Sequence, residues 1–331
     1  MIKLKERGHL PEKYGMKKGA EKFPLLLGLT VTYVCNSRCT HCIFTNFPEI
    51  RRDRIKVNAF MPAEVFKKIA REAGKHKSVV RISGAGEPLL HPKMVELIEY
   101  AKKVGAKVGL ITNGSLLTPQ VSERLLRCGT DVVEVSVDAA DKKSYEKIRV
   151  GLKFDKVKRN IEHLVKRRNE LKSKTLVVVS MVNQVDMRKK LDGAVKFWEK
   201  IVDHVTVRKY LRFGRLPKES LTDSYLSQDA ACPFPFERLN IDTDGEIRFC
   251  GFDITGETNL GNVREVPIGR VWVGEKMNEW RSYILEGVPE RVPICKKCTD
   301  KVYRSWNYNV WHAIERAKEK RNIILSKKQE E

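Results

Sequence analysis

Ten consecutive residues, Leu25-Leu26-Leu27-Gly28-Leu29-Thr30-Val31-Thr32-Tyr33-Val34, run directly into three cysteines within eight positions, Cys35, Cys39 and Cys42. An apolar, partly β-branched run reads as a buried strand, which puts the cysteines in the loop at its C-terminal end. Soft thiolates this close together suit an iron–sulfur cluster or zinc. A cubane cluster has four irons, so three cysteines leave one iron open to another ligand. A closed zinc site wants a fourth ligand, and His41 is badly placed because its neighbour Cys42 already points at the metal.

Downstream, strand and helix patterns alternate. Strands are expected at 78–83, 107–112, 131–137, 175–181 and 203–208, and helices at 92–104, 118–128, 155–172 and 188–200. A further helix opens at Met61-Pro62-Ala63-Glu64, with proline in its first turn. The stretch Ile43–Phe60, long and charged through Arg51-Arg52-Asp53-Arg54, is expected to be a flap near the site. With 25–34 the strands number six, and βα units imply a parallel sheet, curved into a barrel or doubly wound. Functional groups then belong at the C-terminal strand ends. Those ends read Ser83-Gly84-Ala85-Gly86-Glu87-Pro88, Thr112-Asn113-Gly114, Ser136-Val137-Asp138 and Ser180. Small residues let a ligand approach the backbone, and Glu87 can accept from an ammonium group. Each end also has a plainer reading as a turn, a helix cap or a surface ion pair.

Beyond residue 210 the alternation stops and a second cysteine set begins: Cys232, Cys250, Cys295 and Cys298, separated by 17, 44 and 2 residues. Between the first two lies Asn240-Ile241-Asp242-Thr243-Asp244-Gly245-Glu246-Ile247-Arg248-Phe249, two short strands around an Asp-Gly turn. Four cysteines make a closed ligand set, for which zinc and a [4Fe–4S] cluster are both allowed. Cys128, at the end of the helix before the fourth strand, reads as a structural thiol remote from the chemistry.

The spacing C-x3-C-x2-C after a first strand, joined to the strand ends above, resembles the radical S-adenosylmethionine (SAM) superfamily. The resemblance implies an α/β fold, a partial (β/α)6 TIM-like barrel, with a [4Fe–4S] cluster on Cys35, Cys39 and Cys42. Its open iron would bind the amino and carboxylate groups of SAM, and one-electron cleavage would yield a 5′-deoxyadenosyl radical that abstracts hydrogen from substrate. Ser83–Pro88 is similar to the family's Gly-Gly-Glu-Pro motif, with Ala85 in place of one glycine. By that likeness Gly84, Gly86 and Glu87 face the methionine amino group and Asn113 lies near SAM. Ser136 and Asp138 lie by its ribose or carboxylate, Arg149 is a carboxylate partner, and Ser180 is a further contact. His41 occupies the place of the family's aromatic residue that packs adenine.

The second cysteine set resembles the SPASM/twitch extension, a small α+β domain with one auxiliary [4Fe–4S] cluster, as in the 2-deoxy-scyllo-inosamine dehydrogenases that oxidise an aminocyclitol. The leading expectation is therefore dehydrogenation of a sugar or aminocyclitol, with the auxiliary cluster accepting an electron and a flavodoxin or ferredoxin as external donor. The base is expected where Arg208, Lys209, Tyr210, Arg212 and Arg215 cluster, and since arginine is a poor base these side chains suit substrate positioning. A peptide maturase is the first alternative, weighed down by the 22 residues before the first strand, too few for a peptide-recognition domain. A zinc or redox binding module is the second.

Composition sets the remaining bounds. The 331 residues allow a sizeable core in four segments: a lead-in at 1–22, the barrel at 23–210, the cluster domain at 211–300 and a terminal helix at 301–331 carrying Trp306 and Trp311. No signal peptide or spanning run is read in the chain, so a cytoplasmic enzyme is expected, where eight cysteines serve metals rather than disulfides. The net charge of +22 is spread along the chain, densest at 156–174 and 313–328. That pattern fits a Lys/Glu-rich surface of thermophilic type better than a nucleic-acid footprint, although an RNA substrate stays open.

Overall fold

The computed structural model describes residues 20–211, 232 and 234–298. Most of the lead-in, Arg212, Arg215 and the terminal helix expected at 301–331 lie outside the described residues.

Leu26, Leu27 and Leu29 are buried in the central strand β1 (Leu26–Thr30). The apolar run outlasts the strand. Thr32 forms an isolated bridge with Phe60 and its hydroxyl donates to the Ala59 carbonyl at 2.7 Å, which pulls Val31–Val34 out of the sheet. The following strands are β2 (Arg38–Cys39), β3 (Val79–Ser83), β4 (Lys107–Thr112), β5 (Val132–Ser136), β6 (Arg149–Val150), β7 (Leu176–Asn183) and β8 (His204–Lys209). β1, β3, β4, β5, β7 and β8 pair side by side and all parallel, the six strands of the expected barrel sheet. Parallel neighbours need crossovers, and helices supply them.

The helices are α1 (Pro48–Asn58), α2 (Ala63–Lys75), α3 (Met94–Lys103), α4 (Pro119–Arg127), α5 (Lys142–Ile148), α6 (Phe154–Glu170) and α7 (Leu191–Glu199). α2 buries Val65, Phe66, Ile69, Ala70 and Ala73, a single stripe at helical spacing. Thr118 caps α4, its side chain accepting from Val121 N at 3.3 Å with Pro119 next in line. Cys128 closes the same helix, its Sγ 3.4 Å from both the Leu125 carbonyl and Thr130 Oγ1, which is a structural role.

The stretch 43–60 lies near the site as expected and is helical, Ile43, Phe44 and Arg51 lining the cavity described below. A turn of helix at Ile43–Asn46 leads into α1, with Pro48 in its first turn and Glu49 placed to favour the helix N-terminus. Ile43, Phe44, Phe47, Ile50 and Ile55 cluster with Tyr33, Ala85 and Ile254, so apolar burial holds the segment down on the site.

After residue 232 come β9 (Arg238–Ile241), β10 (Glu246–Arg248) and β11 (Asn259–Asn262), then α8 (Glu275–Leu285). The two strands around the Asp-Gly turn are present, with Gly245 at φ +91°. They do not stand apart from the barrel. β9 pairs in parallel with the free edge of β1, and β10 and β11 extend the sheet to nine strands. An unpaired edge on so buried a strand would strand its backbone donors and acceptors, and β9 satisfies them. Among the described residues no helix is long and apolar enough to cross a membrane. Surface cations are matched in part by acids, as where Glu123 takes both Arg127 and Arg167.

Candidate functional site

A cavity of about 480 Å³ opens at the C-terminal ends of the parallel strands, and Cys35, Cys39 and Cys42 all line it. Their loop is tied down by two links to distant segments. β2 pairs antiparallel with β6, which sets Cys39 opposite Arg149. Asn36 accepts from Asn113 Nδ2 at 2.8 Å and donates to Ser115 Oγ at 2.9 Å. Two cations approach the sulfurs: Arg149 Nη1 lies 3.7 Å from Cys39 Sγ, and Arg51 Nη2 lies 3.9 Å from Cys42 Sγ. Three soft sulfur ligands lining a cavity, two of them approached by guanidinium groups, fit an iron–sulfur cluster. Among the described residues no group of three Cys, His, Asp or Glu side chains is placed to hold a single metal ion.

Glu87, Gly84, Gly86 and Asn113 line the same cavity. Glu87 is 2% exposed and accepts from Thr112 Oγ1 at 2.6 Å, Asn113 N at 2.7 Å and Leu89 N at 3.1 Å. Burial pushes its carboxyl above the ordinary range, and these donors work against the shift. Three of its roughly four acceptor positions are thus filled by protein, leaving one for a ligand donor. The glycines line the cavity and also answer a packing need. A Cβ on Gly86 would lie 2.2 Å from the Val34 carbonyl oxygen, and one on Gly84, already at φ +130°, would lie 2.9 Å from Thr30 Cα. They are small so that the end of β1 can pack against this loop. Gly86→Ala should therefore push back the strand end that carries the cysteines, costing about 1–3 kcal/mol, with the midpoint of chemical denaturation and the iron bound per chain both falling.

Asp138, fully buried at φ +69°, receives Arg149 Nε and Nη2 at 2.7 Å each and accepts from Val182 N at 2.6 Å. The pair expected to serve SAM separately is bonded to itself: Asp138 holds Arg149 charged against the burial that would otherwise lower its pKa. Together they clamp β6 to the barrel. His41 lines the cavity with Nε2 3.6 Å from Asp138 Oδ2, and burial pushes its pKa down to about 4, so the ring is neutral at pH 7. Ser136 and Ser180 also line the cavity, their hydroxyls 3.5 Å apart.

Deeper in the barrel lies a charged set of which strand-end reasoning found Arg208 and missed Arg81 and Glu134. Arg81 in mid-β3, Glu134 in mid-β5 and Arg208 on β8 all line the cavity. Arg208 Nη2 meets Glu134 Oε1 at 2.5 Å, so the arginine expected beside the base is an ion-pair partner. Burial alone would raise the Glu134 pKa, but Arg208, Arg81 and Ser180 outweigh it and hold the carboxyl below its usual range. The signal was available: one charge inside each of the runs Val79-Val80-Arg81-Ile82 and Val132-Val133-Glu134-Val135. Tyr210 lines the cavity as well, and Lys209 ends β8.

The C-terminal strands close the opposite wall. Tyr33 OH donates to Asp242 Oδ2 at 2.9 Å, Arg248 pairs with the same oxygen, and Arg54 Nη1 approaches it at 3.8 Å. Burial and then Asp242 push the Tyr33 phenol well above its ordinary pKa, so it remains a hydrogen-bond donor. Cys250, 5% exposed, follows β10 and lines the cavity together with Gly251, Phe252 and Asp253. Cys232 precedes β9, and Cys295 and Cys298 bracket the end of the helical turn Pro293–Lys296, with Cys298 N donating to the Cys295 carbonyl at 3.2 Å.

Comparison with known proteins agrees with this geometry. The Radical SAM superfamily model matches residues 29–192, and SPASM, an iron–sulfur cluster-binding domain, matches residues 232–299. A GTP 3′,8-cyclase of Chlorobaculum tepidum is 29% identical over 229 residues, 66% of this chain and 67% of the relative. The tungsten-containing aldehyde ferredoxin oxidoreductase cofactor-modifying protein of Pyrococcus furiosus is 32% identical over 151 residues, 44% of this chain. The match spans only 39% of that relative's length. The crystal structure of Streptococcus suis SuiB bound to precursor peptide SuiA shares the fold, with TM-score 0.63 and 17% identity over 84% of this chain and 71% of that one. A cysteine loop under two cations, a cavity of about 480 Å³ beside it and these two matches lead to one conclusion: the chain carries a Radical SAM domain and a C-terminal SPASM domain, and is a radical SAM enzyme whose cofactors are SAM, the [4Fe–4S] cluster that binds it and an auxiliary iron–sulfur cluster.

Proposed function

We propose that this radical SAM enzyme oxidises an alcohol carbon of a small polar molecule, a sugar or aminocyclitol, and passes one electron to its auxiliary cluster. The observation that carries the reading is that Cys250 lines the same cavity as Cys35, Cys39 and Cys42, which brings a ligand of the second cysteine set to the substrate space. Cys35, Cys39 and Cys42 would hold the SAM-binding cluster; Cys232, Cys250, Cys295 and Cys298 would hold the auxiliary one. When bound, these groups supply hydrogen-atom abstraction on one side and electron acceptance on the other.

The chain's own residues supply the rest. Arg81, Glu134 and Arg208 give the cavity a charged inner wall suited to a polyhydroxylated substrate. Arg208 positions Glu134, and Glu134, kept ionised, takes the substrate's hydroxyl proton. The substrate thus loses a hydrogen atom from carbon, a proton from oxygen and one electron, which balances conversion of an alcohol to a carbonyl. An external donor such as flavodoxin or ferredoxin would reduce the SAM-binding cluster.

Anaerobic reaction of the reconstituted enzyme with SAM, dithionite and a panel of sugars and cyclitols tests this. The expected result is a carbonyl product in step with 5′-deoxyadenosine, and deuterium moving from the oxidised carbon into 5′-deoxyadenosine. An inert panel alongside modification of a peptide would replace the reading with peptide maturation.

A further inference from the structure

One rung of the sheet runs across β10, β9, β1 and β3. Arg248 pairs with Asn240, Asn240 with Gly28, and Gly28 with Arg81. All four line the cavity. Paired residues on neighbouring strands project to the same face, so the two arginines flank a gap left by the glycine.

The Asn240 side chain occupies that gap. A Cβ on Gly28 would lie 2.5 Å from Asn240 Oδ1, and a Cβ on Gly251, the residue after Cys250, would lie 2.7 Å from the same atom. Gly28 is an ordinary mid-strand position at which any larger residue would expel the amide. Two glycines from separate segments thus make room for one polar group. Once seated, Asn240 Nδ2 is buried and has no hydrogen-bond partner among the described residues. An unpaired buried amide is costly, and a turn of the side chain that brings it to a ligand oxygen removes that cost.

We infer that Asn240 is a substrate-binding residue that seats a hydroxyl oxygen of the substrate beside Cys250. A hydroxyl is donor and acceptor at once, so it satisfies whichever end of the amide faces it. The inference rests on the proposed oxidation of a polyol and adds the contact that orients it: an oxygen held here lies between the rung arginines and next to a ligand of the second cysteine set.

Asn240→Leu and Asn240→Asp test the seat, the first apolar with the same branching, the second isosteric without the amide donor. Binding of myo-inositol and of D-glucose to the SAM-loaded enzyme is measured by calorimetry, with iron content and substrate-free SAM cleavage measured on the same samples. The expected result is polyol binding weakened about tenfold or more in Asn240→Leu, which can neither donate nor accept, and a smaller loss in Asn240→Asp, which still accepts from a hydroxyl, with iron and substrate-free cleavage unchanged. Binding by Asn240→Leu equal to that of the wild type overturns the seat, and so does a wild type that binds neither polyol. If the wild type binds a polyol through Asn240 without oxidising it, the reaction fails and the seat stands. If variant and wild type oxidise it alike, the reverse holds.

Discussion

Replacing Cys35, Cys39 and Cys42 together with alanine should take the anaerobically reconstituted protein from about eight irons per chain to about four, and abolish reductive SAM cleavage. The three thiols line the cavity on a loop held by β2–β6 pairing and by the Asn36–Asn113 contact, and none of these links involves Cys232, Cys250, Cys295 or Cys298. Loss of the first set should leave the second intact, and the surviving iron should keep the absorbance of a fully thiolate-ligated cluster. Loss of all iron in the triple variant would show that the two sets form one unit. Zinc in the C-terminal set would remove the electron acceptor and with it the proposed oxidation.

Asp138→Asn is expected to be the most damaging single substitution away from the cysteines. Asparagine keeps the shape and tolerates the left-handed backbone at φ +69°, so geometry alone is not disturbed. What is lost is the charge opposite Arg149, which is 7% exposed and has no other carboxylate bonded to it among the described residues. Leaving a buried guanidinium uncompensated costs about 3–5 kcal/mol. Because Arg149 sits on β6, opposite Cys39 on β2, the damage should reach the cysteine loop. Chemical denaturation should show the loss of stability, and iron retention should fall with it. Asp138→Asn combined with Arg149→Met should recover much of the stability, since replacing both partners removes the stranded charge. Full stability in the single variant would mean that the pair is solvated and that β6 is held by other contacts.

How much of this is legible from residues alone differs by element. The six barrel strands are local events: apolar β-branched runs of strand length, separated by amphipathic helices such as α2 and α6, carry their own periodicity. The first cysteine set and the Gly-Glu-Pro strand end are legible for the same reason, since spacing within a loop is a property of a short stretch of chain. The segment 43–60 misleads because its apolar residues, Phe44, Ile50 and Ile55, are thinly spaced among charges, and only contact with Tyr33 and Ile254 makes a core of them.

Sequence by itself therefore determined the α/β units and the first thiol set, because each depends on residues close together along the chain, and it carried the resemblance that implies the cofactor class. Tertiary structure alone decided that β9 joins β1, that Asp138 is committed to Arg149, that Glu134 is held by Arg208 and that Asn240 lies over Gly28. The partners in those contacts are 11, 74 and more than 200 positions apart. Which charge neutralises which, and which glycine yields space to which side chain, is set by strand register across the sheet. Register is fixed by the collective burial of one face, and a short stretch of sequence does not encode it.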